Sequence, residues 1–150
     1  MSQSLANILV HLIFSTKNRQ PTIHDDIRDE LHAYLTGILK AYECKSVIVN
    51  TEPEHAHLLF ALSKKHALSE IVEEVKKGSS KWLKTKGPRY ANFYWQGGFG
   101  AYSVSESQLE TVIYYIANQH EHHKKISFQE ELRALFELNG ITYDERYLWD

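Results

Sequence analysis

The chain has 150 residues, 43% of them hydrophobic, with 17 Lys and Arg against 19 Asp and Glu for a formal net charge of −2. That length predicts one domain over residues 1–150 with enough chain to bury a core, and so balanced a charge decides nothing about nucleic-acid partners, because local patches matter more than the total. A single cysteine, Cys44, excludes an internal disulfide framework, and no stretch reads as a secretory signal or a membrane span, so a reducing, cytoplasmic setting is expected.

Residues 8–14 are a near-continuous apolar run broken only by His11, which predicts a central strand. A polar loop to Pro21 follows and carries Lys17 and Arg19, which suit phosphate contacts and ordinary loop positions equally well. Asp25 or Asp26 can cap a helix reaching about Tyr42, with Ile27, Leu31, Leu35 and Ile38 at helical spacing. His24 and His32 have no partner at a meaningful spacing and read as surface residues.

Residues 45–51 and 55–62 read as two strands joined tightly around Pro53. On a strand, alternate side chains share a face, so His55 and His57 point the same way, about 6–7 Å apart. Ala56 and Leu58 then face a core. Two imidazoles at that spacing can share one cation. By itself such a pair is more often a solvent-facing polar edge.

Residues 68–83 predict a second helix, weakened in its middle by Gly78-Ser79-Ser80. Small residues there fit either close packing on a sheet or a bend. Lys64, Lys65, Lys76, Lys77, Lys81, Lys84, Lys86 and Arg89 crowd this part of the chain. They can hold phosphates or simply form a solvated face. Residues 91–96 and 100–104 predict a hairpin across Gly97-Gly98. Its aromatics, Trp95 and Phe99 among them, can stack on unpaired bases or face the core.

Ser105 to Gln108 reads as a capping box opening a helix to about His122. Tyr115 and Gln119 are four apart and share a face of that helix. An assisted tyrosine is a workable nucleophile, and a glutamine carbonyl is an acceptable ligand for a hard divalent cation. Tyr114 is the rival nucleophile. His120, His122 and His123 follow and read mainly as a solvated helix end, with a metal-binding spacing between His120 and His123 as the lesser alternative. A second capping box, Ser127 to Glu130, opens a last helix that ends at Asn139-Gly140. An aromatic tail ending in Tyr147, Leu148 and Trp149 should pack on the body or on a second subunit.

The order is strand, helix, strand, strand, helix, strand, strand, helix, helix. It predicts an α+β fold of the ferredoxin-like (RRM-like) kind, with an antiparallel or mixed sheet and helices on one face.

Four blocks together resemble one family. Pro53-Glu54-His55-Ala56-His57-Leu58-Leu59 resembles the His-hydrophobic-His motif of the HUH nucleases. Trp95-Gln96-Gly97-Gly98-Phe99-Gly100 with the residues to Ser105, Tyr115-Ile116-Ala117-Asn118-Gln119, and Phe14-Ser15-Thr16-Lys17-Asn18-Arg19-Gln20-Pro21 resemble blocks of the small single-tyrosine transposases within that superfamily. Glu54 stands where the family often has aspartate, and Ala56 where a bulkier aliphatic is common. The resemblance implies a transposase, bacterial or archaeal, of the HUH endonuclease fold. It implies that His55, His57 and Gln119 hold a divalent metal, Mg²⁺ or Mn²⁺, and that Tyr115 attacks single-stranded DNA. The tyrosine is left joined to a 5′ phosphate, and a 3′ hydroxyl is freed. It implies recognition of hairpins at the ends of a mobile element, for which Lys17, Arg19, Lys81, Lys84, Arg89, Trp95 and Phe99 are the candidate DNA contacts. It also implies a homodimer, joined through sheet edges, whose tyrosine helix can complete the partner's site. Two alternatives are a domesticated or inactive nucleic-acid-binding protein that keeps the fold, and a metal-dependent hydrolase that uses water.

Overall fold

The structure is a computed structural model and describes residues 2–150. Its strands are β1 (Leu9–Ser15), β2 (Lys45–Glu52), β3 (His55–Ala61) and β4 (Gly100–Val104). Its α-helices are α1 (Arg28–Ala41), α2 (Leu68–Leu83), α3 (Leu109–Ala117), α4 (Gln119–His122) and α5 (Phe128–Leu138). The strands form one antiparallel sheet in the order β2-β3-β1-β4. The α+β fold is the one the sequence predicts. Among the described residues, no helix is long and apolar enough to cross a membrane.

The central strand β1 is buried along its whole length, and its alternation divides the molecule. Val10, Leu12 and Phe14, with Ala56, Leu58 and Phe60 of β3, join Leu31, Leu35 and Leu39 of α1 and Ile71, Val72 and Val75 of α2 in the larger core. The next residues point to the opposite face, where Ile13 packs with Phe128, Leu132 and Phe136 of α5. Helices therefore cover both faces, not the one face expected. β1 is apolar on both sides, and such a strand needs cover on both. The register pairs Ile13 with His57 and Ser15 with His55, which puts both imidazoles under the second layer.

Several local expectations change. Residues 91–96 form no strand; they cross the end of β1 and touch it in a single bridge between Thr16 and Trp95. The Ser15 N–H is taken by the Gln96 side chain at 2.7 Å, so a regular ladder cannot continue there. Phe93 and Trp95 are core residues instead. Neither Asp25 nor Asp26 caps α1, which is entered through a 3-10 turn, Asp25–Ile27. Ser105 makes no side-chain cap; its hydroxyl faces that of Ser107, and another 3-10 turn leads into α3. The expected long helix is interrupted at Asn118, which separates α3 from α4. Ser127 does cap α5, accepting from the Glu130 N–H at 3.2 Å.

Gly78 neither bends α2 nor meets the sheet. A Cβ on it would lie 3.0 Å from Ile38 Cδ1, so it is the point where α2 crosses α1 closely. His32 is partly buried with its Nε2 2.8 Å from the Thr51 hydroxyl, and burial pushes it down to about 4. It is not the free surface residue expected.

Gly100 is the corresponding close approach on the other face. A Cβ there would meet the Phe136 ring at 2.6 and 2.8 Å. Phe136 is buried between Ile13 and Leu132, so it has little room to yield. Gly100→Ala should therefore cost about 1–3 kcal/mol by overpacking, read as a lower urea midpoint with an unchanged slope.

Candidate functional site

The site lies between β3 and the second helical layer. His55 and His57 are both buried, and each has its inner ring nitrogen held. His55 Nδ1 lies 2.7 Å from the Glu54 carboxylate. His57 Nδ1 lies 2.8 Å from His11 Nε2, and His11 Nδ1 in turn lies 2.5 Å from the Tyr102 hydroxyl. Burial and the neighbouring His57 charge push His11 well down; burial also lowers His57, against the pull of Glu131. Both imidazoles are then neutral near pH 7, and the order of protons along this row matters. If Tyr102 donates to His11, then His11 donates to His57, and His57 Nε2 carries a hydrogen. The reversed order leaves His57 Nε2 as a bare lone pair aimed into the site. His11 and Tyr102 thus set what His57 can offer.

The second half comes from the chain after β4. Tyr115, on the last turns of α3, donates its hydroxyl hydrogen to Glu131 of α5. Burial, then the charge of Glu131, pushes the Tyr115 phenol far up. Gln119 opens α4, and its Oε1 lies 3.2 Å from His55 Nε2 and 2.9 Å from His123 Nε2. The Gln119 amide nitrogen donates to Glu131 at 3.1 Å. Tyr115 and Gln119 therefore reach the histidines of their own chain.

Glu131 is the hub. It is 1% exposed and sits in the first turn of α5, where the helix dipole favours a carboxylate. Its oxygens lie 3.2 Å from His57 Nε2, 3.7 Å from His55 Nε2, 3.2 Å from His123 Nε2 and 3.3 Å from His122 Nε2. Burial opposes its charge, but the hydrogen bonds of His123 and His57 hold it far below the usual carboxylate range. The same contact raises His123 despite burial. Phe128 stacks on the His55 ring at 4.3 Å and closes one side.

His55, His57, His123 and Glu131 each offer one ligand atom, all within 4.8 Å of one another. A dication bound at about 2.0–2.2 Å sets neighbouring donors about 3 Å apart. The Glu131 oxygens stand 3.2–3.7 Å from the three imidazole nitrogens, close to that spacing, and a small inward movement of the rings would bring the rest to it, so the residues fit a divalent metal. The structure brings together His55, His57, Gln119 and Tyr115, which the sequence singles out, and adds His123, which the sequence reading sets aside, and Glu131 and His11, which it misses. Two signals were available. Glu131 is a charge within the apolar stripe of Phe128, Leu132 and Leu135, and His11 interrupts an otherwise apolar strand.

The other candidates scatter. Lys17 and Lys84 lie over the exposed Tyr94 ring at 5.8 and 4.1 Å. Arg19 lies over Trp149 at 5.1 Å, and that indole packs against Phe128. Phe99 is 42% exposed and lines a cleft of about 500 Å³ with Lys76, Lys77 and Tyr94. Burial in that wall pushes Lys76 down to about 8. Lys81 is exposed on α2, while Arg89 pairs with Asp26 at 3.3 Å. Trp95 is not a stacking platform. It is 8% exposed, donates its indole N–H to Ser79, and meets Phe14 and Phe93 edge-on. Tyr94, absent from the expected set, holds the exposed place beside it.

Comparison with known proteins points to one family. A family model described as transposase IS200 like matches residues 4–119. The ISDra2 transposase TnpA of Deinococcus radiodurans is 24% identical over 116 residues, covering 74% of this chain and 83% of its own length. A crystal structure of a Deinococcus radiodurans R1 transposase superposes with a TM-score of 0.62 at 24% identity, covering 79% of this chain and 98% of that one. A REP-associated tyrosine transposase bound to a REP hairpin also superposes with a TM-score of 0.62, at 16% identity over 84% of this chain and 76% of that one.

If His11 orients His57, Mn²⁺ should raise the melting temperature of the wild type and raise it much less in His11→Leu. His11→Gln, whose amide oxygen can accept from His57 Nδ1, should restore most of the shift. A differential scanning fluorimetry titration reads both.

Proposed function

This chain belongs to the IS200-like transposase family, and from that membership we propose that it nicks single-stranded DNA through a covalent tyrosine intermediate and transfers the strand. The observation that supports this most is the convergence of the Tyr115 hydroxyl, the Gln119 amide and the two β3 histidines on one buried point within a single chain. Binding alone needs no half-buried tyrosine aimed at a ligand cluster.

In this reading His55, His57 and Gln119 hold a divalent cation, Mg²⁺ or Mn²⁺. When bound, that ion acts as a Lewis acid and template for the scissile phosphate. Tyr115 Oη attacks phosphorus, and its proton leaves along the hydrogen bond to Glu131, a relay and not a resting place, because the neighbouring histidines hold that carboxylate ionised. The bond to the 3′ oxygen breaks, that oxygen takes up the relayed proton and leaves as a 3′ hydroxyl, and the 5′ phosphate stays on Tyr115. The phosphodiester energy is kept in that linkage, so a second strand can be joined without ATP. Tyr114, the rival nucleophile, is 71% exposed and makes no such approach.

The DNA contacts proposed are Lys17, Arg19, Lys81, Lys84 and Arg89 for phosphates, with Tyr94 and Phe99 as platforms for unpaired bases. Hairpins at element ends are the proposed substrate, since the REP-associated relative is itself bound to a hairpin. A homodimer joined through an open sheet edge remains part of the proposal, although the geometry needs no second chain to complete a site.

The test uses purified protein, Mn²⁺ or Mg²⁺, and labelled single-stranded DNA from the flanks of the gene. A denaturing gel should show a metal-dependent protein–DNA adduct that disappears in Tyr115→Phe. Cleavage that persists in Tyr115→Phe without an adduct would mean hydrolysis by water instead.

A further inference from the structure

Two of the four clustered donors, His123 and Glu131, lie beyond residues 4–119, the span that matches the family model. We propose that His123 and Glu131 are themselves metal ligands, completing with His55, His57 and Gln119 a centre of three imidazoles, an amide oxygen and a carboxylate that prefers a transition-metal dication such as Mn²⁺ or Zn²⁺ over Mg²⁺. The inference rests on the reading of this site as metal-dependent.

Ring orientation is the first support. His123 Nδ1 lies 3.1 Å from the Ile126 carbonyl, which can only accept, so Nδ1 carries the hydrogen. In the neutral ring Nε2 is then a bare lone pair, and it faces the cluster. His55 is set the same way, its Nδ1 held by the Glu54 carboxylate. Such anchoring of the far ring nitrogen is how metal-binding histidines are oriented.

Crowding of acceptors is the second. The Nε2 atoms of His55 and His123 face Gln119 Oε1 at 3.2 and 2.9 Å and stand beside the Glu131 carboxylate. Nitrogens and oxygens gathered this closely need positive charge among them, either ring protons or a cation, and one dication would serve all of them at once. No Lys or Arg supplies it among the described residues, since every ion-pair partner of Glu131 is a histidine.

Donor chemistry sets the preference. Mg²⁺ favours oxygen ligands in near-ideal octahedral geometry and gives up its water reluctantly. Imidazole nitrogens suit Mn²⁺ poorly by comparison with Zn²⁺, but both outrank Mg²⁺ at a nitrogen-rich site. A centre with only His55, His57 and Gln119 would discriminate less.

Calorimetric titration of metal-free protein with Mn²⁺, Zn²⁺ and Mg²⁺ tests the proposal. The wild type should bind Mn²⁺ and Zn²⁺ at least about tenfold more tightly than Mg²⁺. His123→Gln and Glu131→Gln should each weaken Mn²⁺ binding about tenfold and narrow the gap to Mg²⁺. Equal affinities for Mn²⁺ and Mg²⁺ would overturn it. So would variants that bind Mn²⁺ as well as or better than the wild type, which would make Glu131 a plug that competes with the ion. If Glu131→Gln does not fold, as judged by its melting curve, His123→Gln and the wild-type affinity ratio decide. A Tyr115–DNA adduct formed equally with either metal, alongside unaltered affinities in the variants, would sink this inference and leave the nicking reading intact. No binding of any of the three ions would sink both.

Discussion

Burying the carboxylate of Glu131 is the constraint around which the second half of the molecule is arranged. An ionised carboxylate taken out of water is tolerated only when paired and hydrogen-bonded. Here the partners come from four places: His57 on β3, Tyr115 on α3, Gln119 at the start of α4, and His123 just after it. Removing one partner from a buried pair of this kind typically costs about 3–5 kcal/mol, so the cluster is a structural joint as well as a site. It ties the helical layer to the sheet. A divalent ion could take over that role, and the joint would then tighten when metal binds.

The sheet explains why the joint forms on one face only. Its period of two separates Val10, Leu12, Phe14, Ala56, Leu58 and Phe60 from His11, His55 and His57. One side becomes an oily seat for α1 and α2. The other becomes a floor of imidazoles that α5 covers, with Phe128 over His55 and Gly100 letting Phe136 come close to β4. Fold and chemistry use the same alternation, and a slip of one residue in register would exchange the two faces.

What could be read from the sequence follows the range of each signal. The period-two and period-3.6 patterns act locally, so β1, β3, α1, α2 and α5 were legible, and so was the shared face of His55 and His57. The pairing of Tyr115 with Gln119 was legible for the same reason. The hairpin expected at residues 91–96 failed because an aromatic run suits a strand and a core crossing equally, and the Gln96 side chain claims the backbone donor a ladder would use. Glu131 and His123 escaped because their meaning depends on a contact with a strand more than sixty residues earlier in the chain. Only the odd placement of a glutamate within an apolar stripe hinted at it. Trp95 shows the reverse error: an aromatic beside glycines looked available, and the fold spent it on Ser79 and Phe14.

The central claim is that one chain builds its whole site from its own strand and its own tyrosine helix. Mixing two inactive variants tests it most directly. Tyr115→Phe keeps the histidines and lacks the proposed nucleophile, while His57→Ala keeps that tyrosine and lacks a proposed ligand. Equal amounts would be combined with labelled single-stranded DNA and Mn²⁺, under conditions where the wild type forms its adduct. The arrangement described here predicts that the mixture stays as inactive as either variant alone. An adduct restored on mixing, carried by the His57→Ala chain, would show that the tyrosine serves a partner's histidines and would contradict the account.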